Sequence, residues 1–194
     1  AFVSMNYRLR WEYKVYDQLI DVASALRWIN QHGAEHGLDR SRVVLMGHAS
    51  GAHLASLVMT DHRYLQGESV PVNIVKAVIA IDSVSYDIPR LMNELGSFVE
   101  RRQHELVFAG SEQVWRAASP ITHVASSISI PPFALLYNPE NEASILQAKG
   151  FAKELTAAKV AVVMIPGQKD QTDELLGAGN VTTGALMAFI RSQL

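Results

Sequence analysis

The sequence has 194 residues, 48% of them hydrophobic and 19% charged, with a formal net charge of −2 and no cysteine. That length supports one well-formed core, and the near-neutral charge argues against nucleic acid or an anionic membrane as the main partner, since either favours a clustered basic surface. Disulfides, thiolate catalysis and zinc–thiolate sites are excluded, and no segment approaches the roughly 20 apolar residues needed to span a bilayer.

Ala1 opens the sequence without a methionine, a basic leader or a long apolar run. A soluble protein is expected, cytoplasmic or exported, with a processed or truncated amino terminus. Phe2 to Tyr7 alternates loosely and predicts a strand. Val15, Leu19, Val22, Leu26 and Ile29 recur at helical spacing, so one face of a helix is apolar; Gly33 or Gly37 can end it. Val43 to Met46 reads as a short buried strand. Ser50 to Thr60 reads as a helix with Leu54, Leu57 and Val58 inward. Val75 to Ile81, "VKAVIAI", predicts a strand covered on both faces.

From about Asp82 to Ile130 the chain reads as irregular or as short helices. That stretch is too long for a plain loop and predicts a lid over the carboxyl ends of the strands. Pro132 to Tyr137 is a further strand. Ile145, Ala148, Ala152 and Leu155 mark a helix that ends near Lys159. Val160 to Ile165 is a strand stopped by Pro166 and Gly167, and Thr182 to Leu194 closes as an amphipathic helix. Strands alternating with helices call for βαβ units. The expectation is a single α/β domain over residues 1–194, with a doubly wound, mainly parallel sheet and a small lid or cap at 82–130. Open sheets of this kind bind ligands at the carboxyl ends of their strands.

The stretch "RVVLMGHASGAHLASLV", Arg42 to Val58, is a strand, a tight turn and a helix. With "VSMNYRL", "AVIAIDSVSYDIPR", "VWRAASPITHV", "IPPFALLYNPENE" and "VVMIPGQKDQTDELLG", taken in order over nearly the whole chain, it resembles the bacterial esterase/lipase branch of the α/β-hydrolase superfamily, the carboxylesterase and feruloyl-esterase-like proteins. The resemblance implies an α/β-hydrolase fold, a carboxylic ester or other small ligand, and no cofactor. It also implies a nucleophilic serine in Gly-x-Ser-x-Gly at a strained strand-to-helix turn, followed later in the chain by an acid and a histidine. Gly47 and Gly51 match the two glycines, so the nucleophile position is Ala49. Ser50, one residue on, is rotated by about 100° around the new helix; its backbone N–H matches an oxyanion donor.

The acid position falls at Glu140 or Asn141, and the histidine position, in "PGQKDQT", at Asp170. The seven histidines stand at 32, 36, 48, 53, 62, 104 and 123, so none follows the last strand. His48 and His53 are candidate pocket residues, with packing as the plainer role of His53. No histidine pair has a metal-binding spacing, and no metal is expected. The family's second oxyanion donor lies in a His-Gly-Gly loop before the strand matching "FVSMNYRL"; the sequence begins at that strand and has no Gly-Gly pair. The family's sheet order then leaves a slot between Phe2–Tyr7 and Val43–Met46. A segment of another copy, a missing N-terminal segment or direct pairing of the two strands would close it.

The expectation that follows is an ester hydrolase lineage with impaired chemistry. A binding module on a hydrolase fold is the alternative, and an active hydrolase using Asp170 or Glu140 as general base is the third reading.

Overall fold

The computed structural model describes residues 1–9, 12–94, 105, 107–108, 111–167 and 181–194. Its sheet has four parallel strands in the order β1-β2-β3-β4: β1 Val43–His48, β2 Val75–Ile81, β3 Phe133–Tyr137 and β4 Val162–Pro166. The helices are α1 Val15–His32, α2 Ser50–Thr60, α3 Arg63–Gly67, α4 Ile88–Glu94, α5 Glu112–Ala117, α6 Glu142–Ala157 and α7 Val181–Gln193.

Strand alternation divides the sheet between two cores. Val75, Val78, Ala80, Phe133 and Leu135 face α1, α2 and α6; Ala77, Ile79, Ile81, Ala134 and Leu136 face α7. Helices thus lie on both faces, as a doubly wound sheet requires. The larger core is closed by Phe151 of α6, which stacks on Tyr86 at 4.7 Å and meets Phe133 edge-on at 5.5 Å. In α1, Val15, Leu19, Val22, Ala23 and Leu26 form the buried stripe, and the Lys14 N–H donates to the Asp17 carboxylate at 2.8 Å to hold the first turn. A short 3₁₀ turn, Gly33–His36, continues α1. Gly37, at φ 70°, then reverses the chain in a conformation that favours glycine.

The predicted Phe2–Tyr7 strand is not formed, and β1 is an edge strand of the described sheet. Alternation specifies a pleat but supplies no partner for the backbone groups. This segment takes its bonds from α1 instead. The Arg8 N–H and guanidinium donate to Asp21 at 2.9 and 3.0 Å, the guanidinium also donates to the Asp17 carbonyl at 2.9 Å, and Gln18 donates to the Arg8 carbonyl at 2.9 Å. Direct pairing with Val43–Met46 therefore does not occur. Phe2, Val3 and, on β1, Met46 are exposed.

Of the predicted lid, the segment before α4 is anchored to α6: the Asp87 N–H donates to the Gln147 side-chain oxygen at 2.7 Å, and the Gln147 amide donates back to the Asp87 carbonyl at 2.9 Å. No helix among the described residues is long and apolar enough to cross a membrane.

Candidate active site

β1 ends at His48 and α2 begins at Ser50, so Ala49 alone makes the turn. Its backbone sits at φ 50°, ψ −113°, which is unfavourable for a residue with a Cβ. Two bonds hold it there: the Ala49 N–H donates to the Ile81 carbonyl at 2.8 Å, and its carbonyl accepts from the His53 N–H at 3.1 Å. The turn closes on Gly47. A Cβ there would overlap the Gly51 carbonyl and stand 2.6 Å from the Ala52 nitrogen, whereas a Cβ on Gly51 would meet nothing within 4 Å. Gly47 is thus required by close backbone approach and Gly51 is not.

Replacing Ala49 by glycine is expected to stabilise the fold. Strain of this kind costs on the order of 1–3 kcal/mol, and the flexibility glycine adds to the unfolded chain takes back roughly 0.5–1. A rise in Tm of a few degrees in calorimetry is the expected outcome; a fall would show that Ala49 is not strained.

A cavity of about 370 Å³ opens beside this turn, at the carboxyl ends of β1 and β2. Ala49 and Ser50 form one side, and Asp82, Ser83 and Ser85 another. The apolar walls include Leu9 and Val15 from the amino-terminal part of the chain, and Val107 and Phe108 from the 82–130 stretch. Ser50, exposed, is the first residue of α2, so no helical carbonyl lies one turn back to accept its N–H.

His53 is 3% exposed and lines the same cavity. Its Nε2 lies 2.8 Å from the Ala118 carbonyl. A carbonyl only accepts, so Nε2 carries the proton. The ring sits edge-on against Phe108 at 5.4 Å. Burial pushes the imidazolium down to about 4, against the opposing effect of the Ala118 carbonyl. The unfolded side chain would titrate near 6.5. Above that pH neither state holds the proton; between about 6.5 and 4 the unfolded chain binds it and the folded chain does not. Stability is therefore expected to fall over that window by about 3 kcal/mol. Urea unfolding from about pH 7.5 to 4 should show this slope, and His53→Gln should flatten it. Equal slopes in the two proteins would remove His53 as the cause.

The other sequence candidates are placed as follows. His48 does not line the cavity, contrary to expectation: it pairs with Ile81 and shares the strand side of Met46, on the sheet face opposite α2. Alternation sends it there. Glu140 and Asn141 lie between β3 and α6 at the correct end of the sheet, but neither lines the cavity. Glu140 is exposed, and Asn141 caps α6, its side-chain oxygen accepting from the Ser144 N–H at 3.1 Å. Asp170 lies outside the described residues.

One residue was not anticipated. Asp82 directly follows β2, at φ 51°, and lines the cavity. Its Oδ1 accepts from the Ser144 hydroxyl at 2.6 Å, and that fully buried serine also accepts from the Asn138 N–H at 3.0 Å. A charged residue directly after the apolar run "VKAVIAI" was the available signal.

A family model, BD-FAE, matches residues 1–155. The probable carboxylic ester hydrolase LipM of Mycobacterium tuberculosis (strain ATCC 25618 / H37Rv) is 30% identical over 79% of this chain and 37% of its own length. Esterase LipQ of the same strain is 27% identical over 83% of this chain and 39% of its own. The chain thus spans about two fifths of these relatives. Among solved structures, an inhibited esterase B from Lactobacillus rhamnosis superposes with a TM-score of 0.77 at 20% identity, covering 97% of this chain and 65% of that one. That likeness shows the fold.

Proposed function

Because the chain belongs to the BD-FAE family, within the α/β-hydrolase esterases, we propose that it is a carboxylic ester hydrolase by lineage whose serine chemistry is impaired. The observation that carries this is Ala49 at φ 50° on the turn, where its methyl group stands in place of a nucleophile. Ser50 follows it as the first residue of α2. The cavity beside the turn supports a second reading, in which the protein binds a small ligand without cleaving it, with the 82–130 stretch as the cover. Its volume of about 370 Å³ falls within the range of small-molecule sites, roughly 300–1,000 Å³.

Hydrolysis of p-nitrophenyl acetate by the unmodified chain tests the proposal. A rate at the buffer background supports it. Turnover that Ser50→Ala abolishes would make Ser50 a working nucleophile and overturn it.

A further inference from the structure

Among the described residues around the cavity, Asp82 is the one formally charged side chain. Its Oδ1 is engaged by Ser144, and its Oδ2 has no hydrogen-bond or ion-pair partner among the described residues. Three aromatic rings, Tyr7, Tyr13 and Phe108, line the same space. A carboxylate and aromatic rings are the two groups that attract an organic cation, the first by charge and the second through the ring quadrupole.

Among the described residues, the nearby positive groups are weaker or spoken for. Arg8 stands over the Tyr13 ring at 5.0 Å from its centroid, but its guanidinium is committed to Asp21 and to the Asp17 carbonyl, and it does not line the cavity. His53 is held neutral around pH 7 by burial. The amino end of α2 offers only about half a unit of positive charge, against a full unit on Asp82. A ligand carboxylate would have to share this space with Asp82.

We propose that this cavity selects small organic cations, with an ammonium head beside the free Oδ2 of Asp82 and the rings of Tyr7, Tyr13 and Phe108 around it. The inference rests on the reading that the cavity binds a ligand, and it adds the chemical class of that ligand. Asp82 is the specificity-determining residue, and Ser144 positions it.

The test compares choline with 3,3-dimethylbutan-1-ol, which has the same shape without the charge, and with butyrate, by calorimetric titration of the full chain at neutral pH. Choline is expected to bind at least about tenfold more tightly than the neutral analogue, and butyrate more weakly than either. Asp82→Asn should bring choline to the level of the alcohol while leaving the alcohol nearly unchanged. Ser144→Ala keeps the carboxylate but removes the bond that positions it, and should weaken choline by less than Asp82→Asn does while leaving the alcohol nearly unchanged.

A measurement without any variant guards against misfolding of the Asn protein. Raising salt from about 0.05 to 0.5 M should weaken choline and not the alcohol, because screening acts on the charge alone. Equal affinity of choline and the alcohol, tighter binding of butyrate, no binding of choline, a preference that survives Asp82→Asn, or a salt-independent choline affinity would each overturn the proposal. Serine-dependent ester hydrolysis would overturn the impaired-esterase reading and leave this preference standing. Loss of the preference would leave the esterase reading standing.

Discussion

No serine-dependent hydrolysis of p-nitrophenyl acetate is expected from this chain, and Ser50→Ala is expected to leave the background rate as it is. In a well-studied serine hydrolase, loss of the nucleophile or base costs on the order of 10⁶ in kcat, and the reading proposed for this chain has both positions changed. A methyl group occupies residue 49. All seven histidines precede β3, the last of them His123. His53, the histidine that reaches the cavity among the described residues, is a poor base near neutrality, because burial holds its pKa at about 4. A serine hydroxyl without a base is a weak nucleophile. Ala49→Ser alone should therefore add little, and Ala49→Ser with Asp170→His should give slow hydrolysis of a short-chain ester. Strong turnover by Ala49→Ser alone would mean that another group supplies the base.

The second large effect concerns the turn itself. Gly47→Ala is expected to destabilise the protein by roughly 3 kcal/mol or more, a large share of the roughly 5–15 kcal/mol that holds a domain together. The new methyl would overlap backbone, the Gly51 carbonyl and the Ala52 nitrogen, and not a flexible side chain. Relief would require β1 and α2 to move apart, although both pack into the larger core, α2 through Leu54 and Leu57 and β1 through Val43 and Leu45. Gly51→Ala is the matched control: its added methyl meets nothing, and alanine favours a helix by about 1 kcal/mol over glycine. Urea unfolding of the two variants should give shifts of opposite sign. A small shift for Gly47→Ala would mean that the turn yields easily.

Periodicity was a reliable guide where one element carries its own signal. The run "VKAVIAI" matches β2 residue for residue, because apart from Lys76 it is apolar throughout, as a strand covered on both faces tends to be. The helix over Ser50–Thr60 matches α2, since the glycine-flanked turn marks its start. Phe2–Tyr7 fails for the opposite reason: its pleat could be read, but whether a neighbour accepts its bonds is a property of the rest of the sheet.

At the candidate site, spacing placed Ala49 at the turn between β1 and α2. It misjudged His48, whose direction is decided by strand alternation once the sheet faces are known. Asp82 was legible only as the start of the irregular stretch after a strand. Its relation to the cavity depends on Ser144, which lies 62 residues away in sequence, a distance over which no local pattern carries information.

The way Arg8 pins the amino-terminal segment to α1 also sets the lifetime of anything held in the cavity. Tyr7 and Leu9 form part of its wall, and the residues that carry them are joined to α1 by bonds from Arg8 and Gln18 and not by a strand ladder. Lifting this arm breaks a few partly exposed bonds while β1 to β4 stay paired, so it opens far more often than the domain unfolds. A ligand held in the cavity is then expected to enter and leave where the arm lifts, with a residence time that follows the frequency with which the arm lets go.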